Sequence, residues 1–298
     1  MEGANRGITR RTFLRLTAPL IGALAGCIGG TTSGNTVSIL AAGSLQNAFI
    51  NSLEPNTDVP IRVEAYGSAR AARMVAEGQR NPDIVALADT ALFEGLLKTW
   101  YAVFATNSMV LAYNLNTRGG RRVKEADEWF APLVEGNAEL GRTDPDLDPL
   151  GYRTLFTLEL ADDYYDRTLS DKILSENQIY PETQLLAQFD TGSIDAAFVY
   201  RSMAIERDYG YIELPDPINL STPKYANRYS ETSYTLPDGT VVHGGVIRYG
   251  ANVRHISKNT ITVFQNIVSS NRYLEKHGFV VPKEYPEYTG DVPDEIRN

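Results

Sequence analysis

Twice within the first seventy residues a short apolar run stops at a glycine–serine pair and gives way to helical spacing. Val37 to Ala41 ends at Ala42-Gly43-Ser44, and Leu45, Ala48, Phe49 and Leu53 then recur at intervals of three to four. Ile61 to Ala65 turns at Tyr66-Gly67-Ser68 into Ala69 to Glu77, with Gly78 placed as a helix stop. Ile84 to Leu87 supplies a third apolar run. Short strands joined through helices lie side by side in parallel, and a parallel sheet must be covered on both faces, so the pattern dictates an α/β architecture.

The 298 residues exceed one average domain, which predicts two of similar kind. Asn107 to Tyr113 reads as a long apolar strand, after which Arg118, Arg121, Arg122 and Lys124 make the chain polar, and a crossing between domains is placed there. Helices are predicted from Pro149 to Tyr165 and from Pro181 to about Asp190, and strands at Ala196 to Tyr200 and Tyr211 to Leu214. Tyr234 to Val242 carries a hairpin signal with Pro237, Asp238 and Gly239 at its turn. Gly245 to Ala251 reads as extended, and Ile261, Phe264, Ile267, Val268 and Leu274 mark a helix ending near Gly278. The expected division is residues 1–27 as a signal, 28–36 as a tether, 37–110 with 250–298 as one lobe, and 111–249 as the other.

Arg10 and Arg11 precede an apolar run from Leu16 to Gly26 and then Cys27, the single cysteine. The run is shorter than the roughly 20 residues that a membrane span needs, so it reads as an export signal of the twin-arginine kind. Leu24-Ala25-Gly26-Cys27 is similar to a lipobox, which makes Cys27 the expected lipidation site and the outer face of the cell membrane the expected location. With one cysteine there is neither a disulfide nor a cysteine metal site. The formal charge is −9, and loss of residues 1–26, which hold four arginines and one glutamate, leaves −12. An acidic surface excludes a nucleic-acid footprint.

Catalytic signatures are missing: the chain has no G-x-S-x-G, no Gly-Lys pair for a P-loop, no H-E-x-x-H and no C-x-x-C. His243, His255 and His277 lie near predicted element ends, where surface positions are expected. Asp144-x-Asp146-x-Asp148 opens like a calcium loop but has Pro149 where glycine belongs and Leu155 where glutamate belongs. Four polar residues stand at predicted helix starts: Ser44, Ser68, Asp148 before Pro149, and Glu182 after Pro181. Each is accounted for by capping or by the helix dipole. Helix starts are also natural anion sites, so capping and binding are compatible.

Ala42-Gly43-Ser44-Leu45, Tyr66-Gly67-Ser68-Ala69, Asp148-Pro149-x-Gly151-Tyr152-Arg153, Phe198-Val199-Tyr200-Arg201-Ser202, Glu213-Leu214-Pro215 and Leu220-Ser221-x-Pro223-x-Tyr225 together resemble the archaeal molybdate/tungstate-binding proteins of ABC importers, in order from about residue 36 to 280. The resemblance implies a two-lobed type II periplasmic-binding-protein fold, each lobe a mostly parallel sheet flanked by helices, with two chain crossings. It implies an oxyanion, molybdate or tungstate, held between the lobes and delivered to an ABC permease by a monomer that needs no cofactor and is not an enzyme. It matches Ser44 and Ser68 to oxyanion donors, Asp148 and Glu182 to carboxylate ligands of the molybdenum or tungsten, and Tyr200 to a further ligand-binding position. Asp190 and Asp195 are the alternatives to Glu182, with Asp195 better suited to a structural place before a strand.

Two carboxylates beside a dianion repel it unless their oxygens reach the central metal. Mo(VI) and W(VI) are hard centres suited to oxygen ligands, whereas sulfur in sulfate cannot expand its coordination this way. Two further readings stay open: a binder of sulfate or phosphate that uses only serines and helix starts, and a lipid-anchored hydrolase built around Ser44 or Ser68.

Overall fold

The computed structural model describes residues 36–174, 179–269 and 271–297. The expected signal, Cys27 and the expected tether as far as residue 35 lie outside them, and no described helix is long and apolar enough to cross a membrane. The strands in chain order are β1 (Val37–Ala42), β2 (Ile61–Tyr66), β3 (Ile84–Leu87), β4 (Tyr101–Thr106), β5 (Met109–Tyr113), β6 (Leu140–Thr143), β7 (Ile179–Tyr180), β8 (Ala196–Tyr200), β9 (Gly210–Glu213), β10 (Ser233–Thr235), β11 (Val241–His243), β12 (Arg248–Val253) and β13 (Glu287–Thr289).

They form two main sheets, ordered β13-β4-β12-β3-β1-β2 and β7-β6-β8-β5-β9, with β10 and β11 as a separate hairpin. The expected parallel pairing holds for β1 with β2 and β3, and for β6 with β7 and β8. The other half of each sheet is antiparallel: β12 against β3 and β4, β13 against β4, and β5 against β8 and β9. Both sheets are therefore mixed. Antiparallel strands enter where the chain crosses from one sheet to the other, since a strand arriving from the neighbouring sheet has no helix to reverse it.

The crossings run side by side. Asn107 and Ser108 link β4 to β5, and Asn107 N donates to the carbonyl of Ile247 at 3.3 Å just before β12. Leu220 accepts from Ile247 N at 2.9 Å and Asn219 accepts from Met109 N at 2.8 Å. The strand expected from Asn107 thus begins two residues later at Met109, and the extended segment expected from Gly245 becomes a strand only at Arg248. β4, β6, β7 and β13 were not expected. β4 is buried along its whole length, so it carries no alternation to mark it off from the apolar run that follows.

Helices cover the sheets where the spacing places them. Ser68–Ala76 stops before Gly78, whose φ of +73° is the left-handed conformation that ends a helix. Pro149–Tyr165 agrees with its predicted span, and Glu182–Asp190 and Lys258–Ser269 follow theirs. The second sheet closes on an aromatic cluster in which Trp129 meets Phe130, Tyr165 and Phe198 at ring distances of 5.3, 6.5 and 5.8 Å.

One glycine positions the loop before Pro149–Tyr165. A Cβ on Gly151 would lie 2.5 Å from Pro145 N and 2.6 Å from the carbonyl carbon of Asp144, both backbone atoms that cannot rotate away. The first helical turn therefore packs directly on the Asp144–Pro145 backbone. Gly151→Ala is expected to lower the free energy of unfolding by about 1–3 kcal/mol, the usual cost of overpacking; a denaturant titration showing wild-type stability would contradict this packing.

Candidate ligand site between the two sheets

Four of the five expected positions follow the carboxyl ends of parallel strands and the fifth, Tyr200, ends one, the edge at which open α/β sheets bind ligands. Ala42 pairs with Tyr66, so Gly43-Ser44 and Gly67-Ser68 leave the first sheet side by side. Thr143 pairs with Tyr180 in the second sheet, which sets the loop to Asp148 and the helix start at Glu182 beside each other at one sheet end. Tyr200 is the last residue of β8 at that same end.

The side chains of Ser44, Ser68, Asp148 and Tyr200 are buried. Ser44 Oγ lies 3.0 Å from the hydroxyl of Tyr249, which also accepts from Asn107 Nδ2 at 3.3 Å. Ser68 begins the helix Ser68–Ala76, and its Oγ accepts from Ala88 N at 3.0 Å. A hydroxyl that accepts from an amide keeps its own proton to donate elsewhere. Gly67 sits against the second sheet's loop: a Cβ there would lie 2.5 Å from Leu147 O and 3.0 Å from Asp148 Cβ. Arg70 N donates to Leu147 O at 3.1 Å, and Arg73 Nη2 donates to Asp146 O at 2.6 Å. The absence of a side chain at residue 67 thus brings Ser68 and Asp148 together.

Asp148 is 2% exposed and is the N-cap of Pro149–Tyr165, its Oδ1 accepting from Leu150 N at 3.2 Å. Its Oδ2 has no hydrogen-bond partner, and neither has the buried Thr143 Oγ1 nearby. Burial pushes the Asp148 carboxyl up to about 6, against the pull of Thr143, the Leu150 amide and Arg153. Arg142, 7% exposed, has unpartnered Nε and Nη1 atoms, and burial lowers its pKa against the charges of Asp144 and Tyr234. Orphaned buried polar groups are scarce in folded proteins. Three residues within one seven-residue stretch mark the end of β6 as a place where bonding capacity is kept in reserve.

Tyr152, Arg153 and Asp89 complete the site, and reasoning from single residues did not select them. Arg153 Nη1 donates to Ala88 O at 2.6 Å and to the Tyr200 hydroxyl at 2.8 Å, and Nη2 lies 3.2 Å from Asp89 Oδ2. The Tyr152 hydroxyl donates to the same Oδ2 at 2.6 Å. Tyr152 and Arg153 stood in the quoted motif, but nothing in the sequence pairs them with an aspartate sixty-odd positions earlier. Beside this cluster lies a cavity of about 630 Å³ lined in part by Asp89, Arg153, Ser221 and His243.

The alternatives to Glu182 are employed elsewhere. Asp195 accepts from Glu139 N at 2.8 Å before β8, and Asp190 takes the Tyr209 hydroxyl and Arg207 at the far end of its helix. The acidic triplet does not converge either, because Asp144 accepts from Asp146 N at 2.9 Å and Asp146 from the Tyr234 hydroxyl at 2.6 Å. Among the histidines, His277 departs from the surface position expected of it. Its side chain is 13% exposed, with Nδ1 2.6 Å from Glu206 Oε1 and Nε2 2.8 Å from Ser52 Oγ. Gly278, at φ +80°, turns the chain after the helix and packs on Ile205 and Ser202, which draws His277 inward.

The Asp148 carboxyl ionises later in the folded chain than in the unfolded one, so its effect on stability has a definite sign. Below about pH 4 it is protonated in both states and has no effect. Between about pH 4 and about 6 the folded state bears an increasing penalty, which is constant above that. Asp148→Asn keeps the cap and removes that penalty. The variant is expected to be more stable than wild type at pH 7.5 without ligand, by about 3 kcal/mol at most, and the gain should vanish by about pH 4. Equal unfolding free energies across that range would show the carboxylate to be compensated.

The model of the bacterial extracellular solute-binding protein family matches residues 37–255. A Haloferax volcanii protein that bears the name of an ABC transporter molybdenum-binding protein is 55% identical over 292 residues, covering 96% of each chain. The molybdate/tungstate-binding protein of Thermococcus kodakarensis is 29% identical over 343 residues, covering 97% of this chain and 96% of that one. The fold is that of the periplasmic molybdate-binding protein of Azotobacter vinelandii, with a TM-score of 0.56 at 15% identity over 83% of this chain and all of the other. With two mixed sheets joined by paired crossings and its polar residues gathered at their facing edges, the chain belongs to the family of bacterial extracellular solute-binding proteins.

Proposed function

We propose that the protein captures molybdate or tungstate between its two lobes and hands it to the permease of an ABC importer. The observation that carries this reading is the buried Asp148 carboxylate, held by Leu150 N through one oxygen and without a donor on the other. Such an oxygen would repel sulfate, which has no proton to offer at neutral pH and no capacity for a further ligand. It suits a metal centre that accepts an additional oxygen. In this reading Glu182 supplies the second carboxylate, and Ser44, Ser68 and Tyr200 donate to the oxyanion. The start of Ser68–Ala76 adds the positive end of a helix dipole. The names of the Haloferax and Thermococcus relatives support the same ligand class.

The protein works in this reading as a monomer outside the cell, held to the membrane by lipidated Cys27, and it transports without catalysing a reaction. The lobes close about the crossings at residues 107–108 and 244–247, because the ligand reaches both sets of donors only when they meet.

Calorimetry and thermal unfolding against molybdate, tungstate, sulfate and phosphate test the reading. One site per chain is expected for molybdate or tungstate, with a stabilisation of about 4 kcal/mol at a thousandfold excess over Kd. Asp148→Asn and Glu182→Gln should each abolish most of that response. Binding of sulfate with no response to either metal oxyanion would overturn the proposal. Binding of phosphate alone would instead assign the Asp148 oxygen to a protonated oxyanion.

A further inference from the structure

Resting on that reading, we propose that Arg153 is a positioning residue that presents Tyr200 to the bound oxyanion only when the two lobes are closed. Arg153 is 5% exposed, and its guanidinium touches three groups from two sheets. Ala88 and Asp89 follow β3 of the first sheet, and Tyr200 ends β8 of the second. The Nη1 atom is shared between Ala88 O at 2.6 Å and the Tyr200 hydroxyl at 2.8 Å, while Nη2 is 3.2 Å from Asp89 Oδ2. The guanidinium carbon also stands 5.8 Å from the Tyr200 ring centre and 5.9 Å from that of Tyr152.

Arginine has donors and no acceptor, so the Tyr200 oxygen can only accept from it. The phenolic proton is thereby turned away from Arg153, and a charge-assisted bond to the oxygen makes that proton a better donor. Tyr200 is thus set up to donate to an anion. What holds Arg153 in this pose belongs to the opposite lobe. Separating the lobes would withdraw Ala88 O and Asp89 together and leave the guanidinium free to reorient. Ala88 N also donates to Ser68 Oγ. The backbone of one residue therefore orients a donor in its own lobe through its N–H and, through its C=O, the arginine that orients a donor in the other. Because Arg153 is paired to Asp89, its charge is satisfied within the protein, which makes it an aligner of Tyr200 and not a direct counter-ion of the ligand.

The test is a double-mutant cycle on tungstate affinity and dissociation rate with Arg153→Lys and Tyr200→Phe. Lysine keeps the charge for Asp89 but lacks the planar fork that spans Ala88 and Tyr200. Arg153→Lys alone should weaken tungstate binding by about 10- to 100-fold, as outer groups that orient metal ligands do, chiefly through faster release. In the Tyr200→Phe background the same change should cost no more than about twofold. Asp89→Asn, which keeps an acceptor for Tyr152 and loses the ion pair, should resemble Arg153→Lys and show the same dependence on Tyr200. Full additivity between Arg153→Lys and Tyr200→Phe would overturn the proposal. So would a lower melting temperature without ligand accompanied by unchanged tungstate affinity, the mark of a purely structural ion pair. If wild type takes up sulfate or phosphate and neither metal oxyanion, the ligand assignment fails and the same cycle with that anion decides the role of Arg153. If wild type binds none of the four, both fail together.

Discussion

A single carboxylate imposes most of the geometry at the centre of this molecule. Asp148 must cap a helix with one oxygen and keep the other buried without a donor, and the folded chain pays for that with a carboxyl pushed up to about 6. Several neighbouring choices follow from this placement. Pro149 begins the helix without needing an N–H partner. Gly151 lets the first turn rest on the Asp144–Pro145 backbone, and Gly67 lets the other sheet's helix start come up against Leu147. Two glycines and a proline thus hold a group in place that would be more stable elsewhere, as a scaffold would for the binding site proposed above.

How far the sequence could be read depended on the range of the interaction. Local signals were sufficient for the strand–turn–helix units, because Gly43-Ser44, Gly67-Ser68 and Asp148-Pro149 each encode a cap within a few residues. The helix Pro149–Tyr165 and the strand Ala196–Tyr200 have bounds set by their own ends and agree with the expected spans. β4 was missed because full burial erases the alternation that marks a strand, and the Asn107-Ser108 break between β4 and β5 carries no glycine or proline. The antiparallel halves of the sheets were missed for a similar reason, since strand direction after a crossing depends on partners far along the chain.

The site divides along the same line. Ser44, Ser68, Asp148, Glu182 and Tyr200 were selectable because each sits at a predicted element end or in a short motif, and the backbone sets all five at facing sheet edges. The network around them was not selectable. Asp89 pairs with Arg153 and Tyr152 across more than sixty residues, and Tyr249 meets Ser44 across 205. His277 shows the limit from the other side: its neighbourhood in sequence is polar and near a helix end, yet Gly278 turns it inward toward Glu206 and Ser52.

In the proposed reading, selectivity does not rest on a clamp of arginines alone. Arg153, which bonds the candidate Tyr200, is already matched by Asp89 and by two neutral oxygens. Arg142 differs, since it is buried near Asp144 and Tyr234 and keeps unpartnered Nε and Nη1 atoms. A site that relied on unpaired arginines would attract any small dianion by charge and discriminate little among them. In the proposed reading attraction falls mainly to hydroxyls and helix starts, whose partial charges are modest and directional, while the Asp148 carboxylate works against anions as a class. An anion enters such a site only if it offers something that charge alone does not, either a proton or a central atom open to another oxygen. In the proposed reading the electrostatic cost of the carboxylate is the source of selectivity, which accounts for a scaffold that keeps Asp148 buried.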